Sequence, residues 1–128
     1  IRRGAEILNR LNQKWSAFFM LGYPDETEEE IEMSLNLIEE IQPTYVSMSI
    51  LAPYPGCQYY YELEKMGVLG EDTDWNLYDP FSLYANVNLK MSREHFQSVA
   101  RATMRFVDRY NERAARKQAQ ATQSKGAS

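Results

Sequence analysis

The apolar positions change period along the chain, and each change marks an element. Ala5, Leu8 and Leu11, with Ile1 and Ile7 nearby, recur at helical spacing, so Ile1–Gln13 reads as the end of a helix. Trp15–Leu21 (WSAFFML) is then a continuous apolar run, too short for a typical helix. It predicts a strand buried on both faces, as in parallel sheets. Gly22, Pro24 and Asp25 break it, and Thr27 with Glu30 forms a capping box at the start of a helix. Ile31, Leu35, Ile38 and Ile41 give that helix one apolar face, and Pro43 ends it. Tyr45–Leu51 alternates strictly: Val46, Met48 and Ile50 on one face, Ser47 and Ser49 on the other.

After the turn Pro53-Tyr54-Pro55-Gly56, a short helix is expected over Gln58–Met66, stopped by Gly67. Val68–Pro80 is polar and turn-rich, and Phe81–Leu89 is a candidate for one more strand. Ser92 caps a long last helix with Phe96, Val99, Ala100, Thr103, Val107 and Tyr110 on one face. The stripe is lost from about Arg113, and residues 113–128 are expected to be a disordered basic tail. The expected fold class is thus α/β, with tandem βα units whose ligand end is the carboxyl end of the strands.

Length limits this reading. A closed eight-stranded βα barrel needs roughly 200 residues or more, and the chain has 128, opening at Ile1 rather than Met. It reads as the back end of a larger enzyme. The net charge of −4 hides an asymmetry: Arg113, Arg116, Lys117 and Lys125 leave the rest of the chain strongly acidic. Such a body is a poor nucleic-acid binder. A single cysteine, Cys57, allows neither an internal disulfide nor a cysteine-based metal site, which suits the cytoplasm. No apolar run approaches the roughly 20 residues of a membrane span.

Candidate chemistry gathers at the two turns. Gly22 lets backbone approach a ligand, and the helix opening at Thr27 offers free N–H groups; a well-made turn with a good cap accounts for the same residues. The acids from Asp25 to Glu30 argue against a phosphate cradle, and Glu26 either binds a polar ligand group or favours the helix start. Pro53 and Pro55 withhold N–H groups, leaving the Leu51 and Ala52 carbonyls for a ligand amine or for water. Cys57 and the lone histidine, His95, are far apart in sequence and form no arguable dyad. Tyr59, Tyr60, Tyr61, Trp75 and Tyr78 could wall a flat pocket or cover a helix–sheet seam.

Taken together, the order strand, GYPDET, acidic amphipathic helix, YVSMSIL, PYPG, helix and glycine resembles the C-terminal part of the radical S-adenosylmethionine core over about Ile1–Tyr110. The subgroup it is most like often carries an upstream cobalamin-binding domain and includes the anaerobic Mg-protoporphyrin ester cyclase type. The resemblance implies the C-terminal portion of a partial (β/α)6 TIM-like barrel over residues 1–112, with a long C-terminal helix. It implies Met20 and Gly22 beside the adenine of S-adenosylmethionine, Leu51 and Pro53 at the adenine edge, and Ser47 and Ser49 facing lumen and substrate. The cofactors implied for the parent enzyme are S-adenosylmethionine and a [4Fe-4S] cluster, with cobalamin through a further domain, and the reaction starts from a 5′-deoxyadenosyl radical. The family's CxxxCxxC loop is absent, so the chain alone is expected to be inactive. Its expected partners are the missing N-terminal barrel half and a small-molecule substrate. The competing expectation is a stand-alone, non-catalytic α/β interaction domain that binds through the last helix and its basic tail.

Overall fold

The computed structural model describes residues 1–84 and 86–127. The order is α1 (Arg2–Arg10), β1 (Ser16–Leu21), α2 (Glu28–Ile41), β2 (Tyr45–Ile50), α3 (Gln58–Lys65), a 3-10 turn (Trp75–Leu77) and α4 (Arg93–Gly126). β1 and β2 pair in parallel, from Ser16 opposite Tyr45 to Leu21 opposite Ile50. α2 therefore serves as the crossover of a βαβ unit. It starts where the sequence says: the Thr27 hydroxyl accepts from Glu30 N–H, and the Glu30 carboxylate accepts from Thr27 N–H at 2.8 Å. It stops at Gln42, which takes a left-handed conformation at φ 48° just before Pro43.

The strict alternation of β2 decides which way the sheet faces. Val46, Met48 and Ile50, with Leu21 of β1, pack against Ile31 and Ile38 of α2 and Phe96, Ala100, Val107 and Tyr110 of α4. α1 lies beside α2, held by Arg2 to Glu40 at 2.6 Å and by Asn9 Nδ2 donating to the Ile41 carbonyl at 2.8 Å. The opposite face carries Phe18, Met20, Tyr45, Ser47 and Ser49, and Phe18 is 81% exposed. The sequence expectation that β1 is buried on both faces fails here. Its helix side is covered, while Phe18 and Met20 on its other side are exposed. No part of a closed barrel beyond these two strands is formed by the described residues.

The two edges of the sheet differ. The Leu51 N–H donates to the Leu21 carbonyl at 2.9 Å, so Val46, Met48 and Ile50 turn their main-chain groups away from β1. That outer edge of β2 is largely sealed. Asn111 of α4 accepts from Val46 N–H at 2.8 Å and donates to Val46 C=O at 2.9 Å, and Ile50 N–H reaches the Pro80 carbonyl at 2.6 Å. On the outer edge of β1, the same parity points the amides and carbonyls of Phe18 and Met20 outward. They find no partner among the described residues.

Two further expectations change. No strand forms among the described residues of Phe81–Leu89, Ala85 lying outside them. Side chains there bond their own backbone instead: Asp79 accepts from Phe81 N–H at 2.8 Å, and Asn86 from Asn88 N–H at 2.9 Å. The segment from Arg113, expected to be a disordered tail, continues α4 through Gly126, with Ser128 outside the described residues. Alanine, glutamine, lysine and arginine are good helix formers even where nothing apolar is left to bury.

Candidate functional site

The carboxyl ends of β1 and β2 meet two turns. Gly22 ends β1 with φ 90°, a conformation that suits glycine, and a Cβ there would sit 3.0 Å from Phe96 Cζ and 3.4 Å from Ile50 Cγ2. The glycine thus makes room for the core as well as for the turn. Its N–H donates to Glu26 Oε2 at 2.6 Å. Burial raises the Glu26 carboxyl above the usual carboxylate range, while the N–H groups of Gly22 and Tyr23 pull it back down and nearby Glu30 and Asp25 add to the rise. Glu26 is therefore occupied in closing the end of β1. Of the two roles open to it in the sequence, neither ligand contact nor a simple helix-start charge describes that position fully.

The turn is clamped from the other side by Asn88, which is 7% exposed. Its Nδ2 donates to the Tyr23 and Glu26 carbonyls, both at 2.8 Å, and its Oδ1 accepts from Lys90 N–H at 3.0 Å and Met91 N–H at 2.9 Å. Leu89 N–H adds a bond to the Pro24 carbonyl at 2.8 Å, and His95 at the start of α4 meets Glu28 at 2.7 Å. Sequence reading missed Asn88 and Asn111. Each reaches a partner more than sixty residues away, and in the sequence only Val87 and Leu89 flanking Asn88 hinted at a buried polar group.

The expected site residues divide by exposure. Met20 stands on the open face, 42% exposed, opposite Ser49, and Ser47 pairs with Phe18 on that same face. Leu51 and Pro53 are buried, Leu51 in a second small core with Leu63, Leu69 and Val87. Their side chains have no ligand-facing surface, so any ligand contact there falls to the backbone. The Ala52 carbonyl is taken by Tyr54 N–H at 2.9 Å, whereas no backbone donor reaches the Leu51 carbonyl among the described residues. Tyr23, Tyr59, Tyr60, Trp75 and Tyr78 cover this second core. Trp75 packs on Tyr78 at 5.2 Å between ring centres, and the Tyr54 hydroxyl donates to the Tyr78 carbonyl at 2.6 Å. Of the five aromatics named in the sequence, Tyr59, Tyr60, Trp75 and Tyr78 pack as a seam, while Tyr61 is 51% exposed.

Cys57 precedes α3 half-buried, its side chain capping nothing, and His95 is engaged with Glu28. No cluster of three or more His, Cys, Asp or Glu that could hold a metal occurs among the described residues. An iron–sulfur cluster needs several cysteine thiolates, so the residues of this chain do not fit one. No helix among the described residues is long and apolar enough to cross a membrane.

No family model matches the chain. A stretch of 42 residues is 36% identical to part of an uncharacterized methyltransferase of Pyrococcus horikoshii. That stretch is 33% of this chain and 9% of the relative's length. No solved structure matches.

Proposed function

We propose that this chain is the carboxyl-terminal part of a radical S-adenosylmethionine enzyme, in which it supplies part of the adenine pocket and of the substrate wall. One observation carries the reading. Among the described residues the parallel sheet has helices packed on one face, and its other face presents Met20, Ser47 and Ser49 below the turns at the carboxyl ends of the strands. Bare inner face, covered outer face and ligand turns at one end are what a segment of a βα barrel wall presents. The open β1 edge beside a sealed β2 edge supports the same reading, with further strands joining at β1 and β2 standing last. The short match to an uncharacterized methyltransferase of Pyrococcus horikoshii is compatible with a parent that binds S-adenosylmethionine, a methyl donor.

The share of chemistry assigned to this chain is limited. Met20 offers an apolar surface to an adenine ring, the Leu51 carbonyl an acceptor for an exocyclic amine, and Ser47 and Ser49 hydroxyls to a substrate. Cluster ligands belong elsewhere in the parent protein, as does any cobalamin domain, and no reaction step is assigned to the residues here. The test is S-adenosylmethionine binding, by titration calorimetry, to the parent protein that contains this chain. Saturable binding supports the reading; a folded full-length protein that gives no heat refutes it.

A second reading rests on α4, which from Arg113 onward carries Arg113, Arg116, Lys117 and Lys125 and no acidic residue. They give a stand-alone interaction domain an arm for an acidic partner. It requires a monodisperse chain that unfolds cooperatively by itself.

A further inference from the structure

We infer that Asn88 is a positioning residue for the Gly22–Glu26 turn, and through it for the ligand site; the second half of this inference rests on the function proposed above. Asn88 is buried, and its amide group uses every direction it has. Two donors meet two carbonyls of the turn, Tyr23 and Glu26, and the oxygen meets two N–H groups ahead of α4, Lys90 and Met91. Among the described residues no other side chain on the approach to α4 bridges it to that turn in this way. Without Asn88 the turn keeps Glu26 Oε2 on the Gly22 N–H, Glu26 N–H on the Tyr23 carbonyl and Leu89 N–H on the Pro24 carbonyl, but the Glu26 carbonyl loses its donor and the tie from the turn to the start of α4 is cut. A half-buried carbonyl without a donor seeks water, and the turn moves to find it. Met20 lies two residues before Gly22, so a displaced turn alters the surface that meets the adenine ring.

The discriminating substitution is Asn88→Asp. It keeps an oxygen for Lys90 and Met91, and replaces the donating group by an oxygen that repels both carbonyls. Asn88→Ser, too short to span the gap, serves where the aspartate variant does not fold. The first readout is amide exchange in the chain itself. Gly22 and Tyr23 amides exchange at least tenfold faster in the variant, while Val46 and Leu51, bonded to Asn111 and Leu21, keep their rates. Equal acceleration at all four sites means Asn88 is only a stability residue and overturns the inference, as does no change at Gly22 and Tyr23.

The second readout is S-adenosylmethionine affinity of the full-length protein. A variant that binds at least tenfold more weakly supports the inference, and one that binds as the parent does overturns it. A parent that does not bind at all removes the proposed function and the ligand half of the inference together. The exchange data then still decide whether Asn88 holds the turn, so the two failures are told apart.

Discussion

At the residue scale the strongest constraint is Gly22. A side chain there must enter a backbone region at φ 90° and press on Phe96 from 3.0 Å. The backbone part costs about 1–2 kcal/mol and the overpacking about 1–3 kcal/mol, so Gly22→Ala is expected to lose roughly 2–5 kcal/mol in urea unfolding. Adding Phe96→Leu recovers the packing part and leaves the backbone part; strict additivity of the two losses would contradict this account. Glu26 gives a pH signature. Its raised carboxyl binds a proton more tightly folded than unfolded, so stability from this group is greatest when protonated and falls as pH rises through the carboxylate range. Glu30 and Glu40 are lowered and carry the opposite slope, but both remain in a Glu26→Gln variant and cancel in the comparison. Wild-type stability relative to Glu26→Gln should therefore decline between about pH 4 and pH 7. A relative stability that climbs over that interval would show that the Gly22 and Tyr23 donors outweigh burial.

At the scale of elements, α4 does two separable jobs. Its first five turns roof the sheet, and Asn111 closes the β2 edge by bonding both main-chain groups of Val46. Asn111→Ala leaves those groups without partners and is expected to cost about 1–3 kcal/mol, with faster exchange at the Val46 amide as the local check. Beyond Gln118 the helix adds little. Ending the chain after Ala119 should leave the melting temperature unchanged. Ending it after Glu112 removes the Arg113–Glu39 pair and the Gln118 bond to the Thr44 carbonyl, and should lower stability by about 1–2 kcal/mol. Equal melts for the two truncations would mean that neither contact counts. The ends of α2 and the parallel pair of strands were legible because local chemistry, the Thr27–Glu30 box and the alternation of Val46, Met48 and Ile50, agrees with the fold. The far end of α4 was not, since a lost apolar stripe says where burial stops and not where helix stops. Nor were the asparagine clamps, which bond across more than sixty residues, or the missing strand at Phe81–Leu89, where Asp79 and Asn86 draw the backbone into turns.

For the molecule as a whole, the asymmetry of the sheet sets its behaviour in solution. One face and one edge are finished by α2, α4, Asn111 and the Pro80 carbonyl; the other face shows Phe18, Met20 and Tyr45, and the other edge shows unpaired amides and carbonyls. A flat apolar edge strand is a template for pairing with another chain. An acidic body opposes that association by repulsion, but the charge lies largely on α2, on the covered side of the sheet. Edge and face should therefore win, and the isolated chain should self-associate as its concentration rises in static light scattering. Phe18→Lys places a charge on the open face at the exposed edge without touching the core, because Phe18 packs against nothing buried. It should shift the onset of association to at least several-fold higher concentration while leaving the melt unchanged. A wild-type chain that stays monomeric and melts cooperatively would instead mean that the bare face is stable in water as it stands. The barrel-wall reading would then lose its main support, and the exposed helical arm of α4 would become the place to look for a partner.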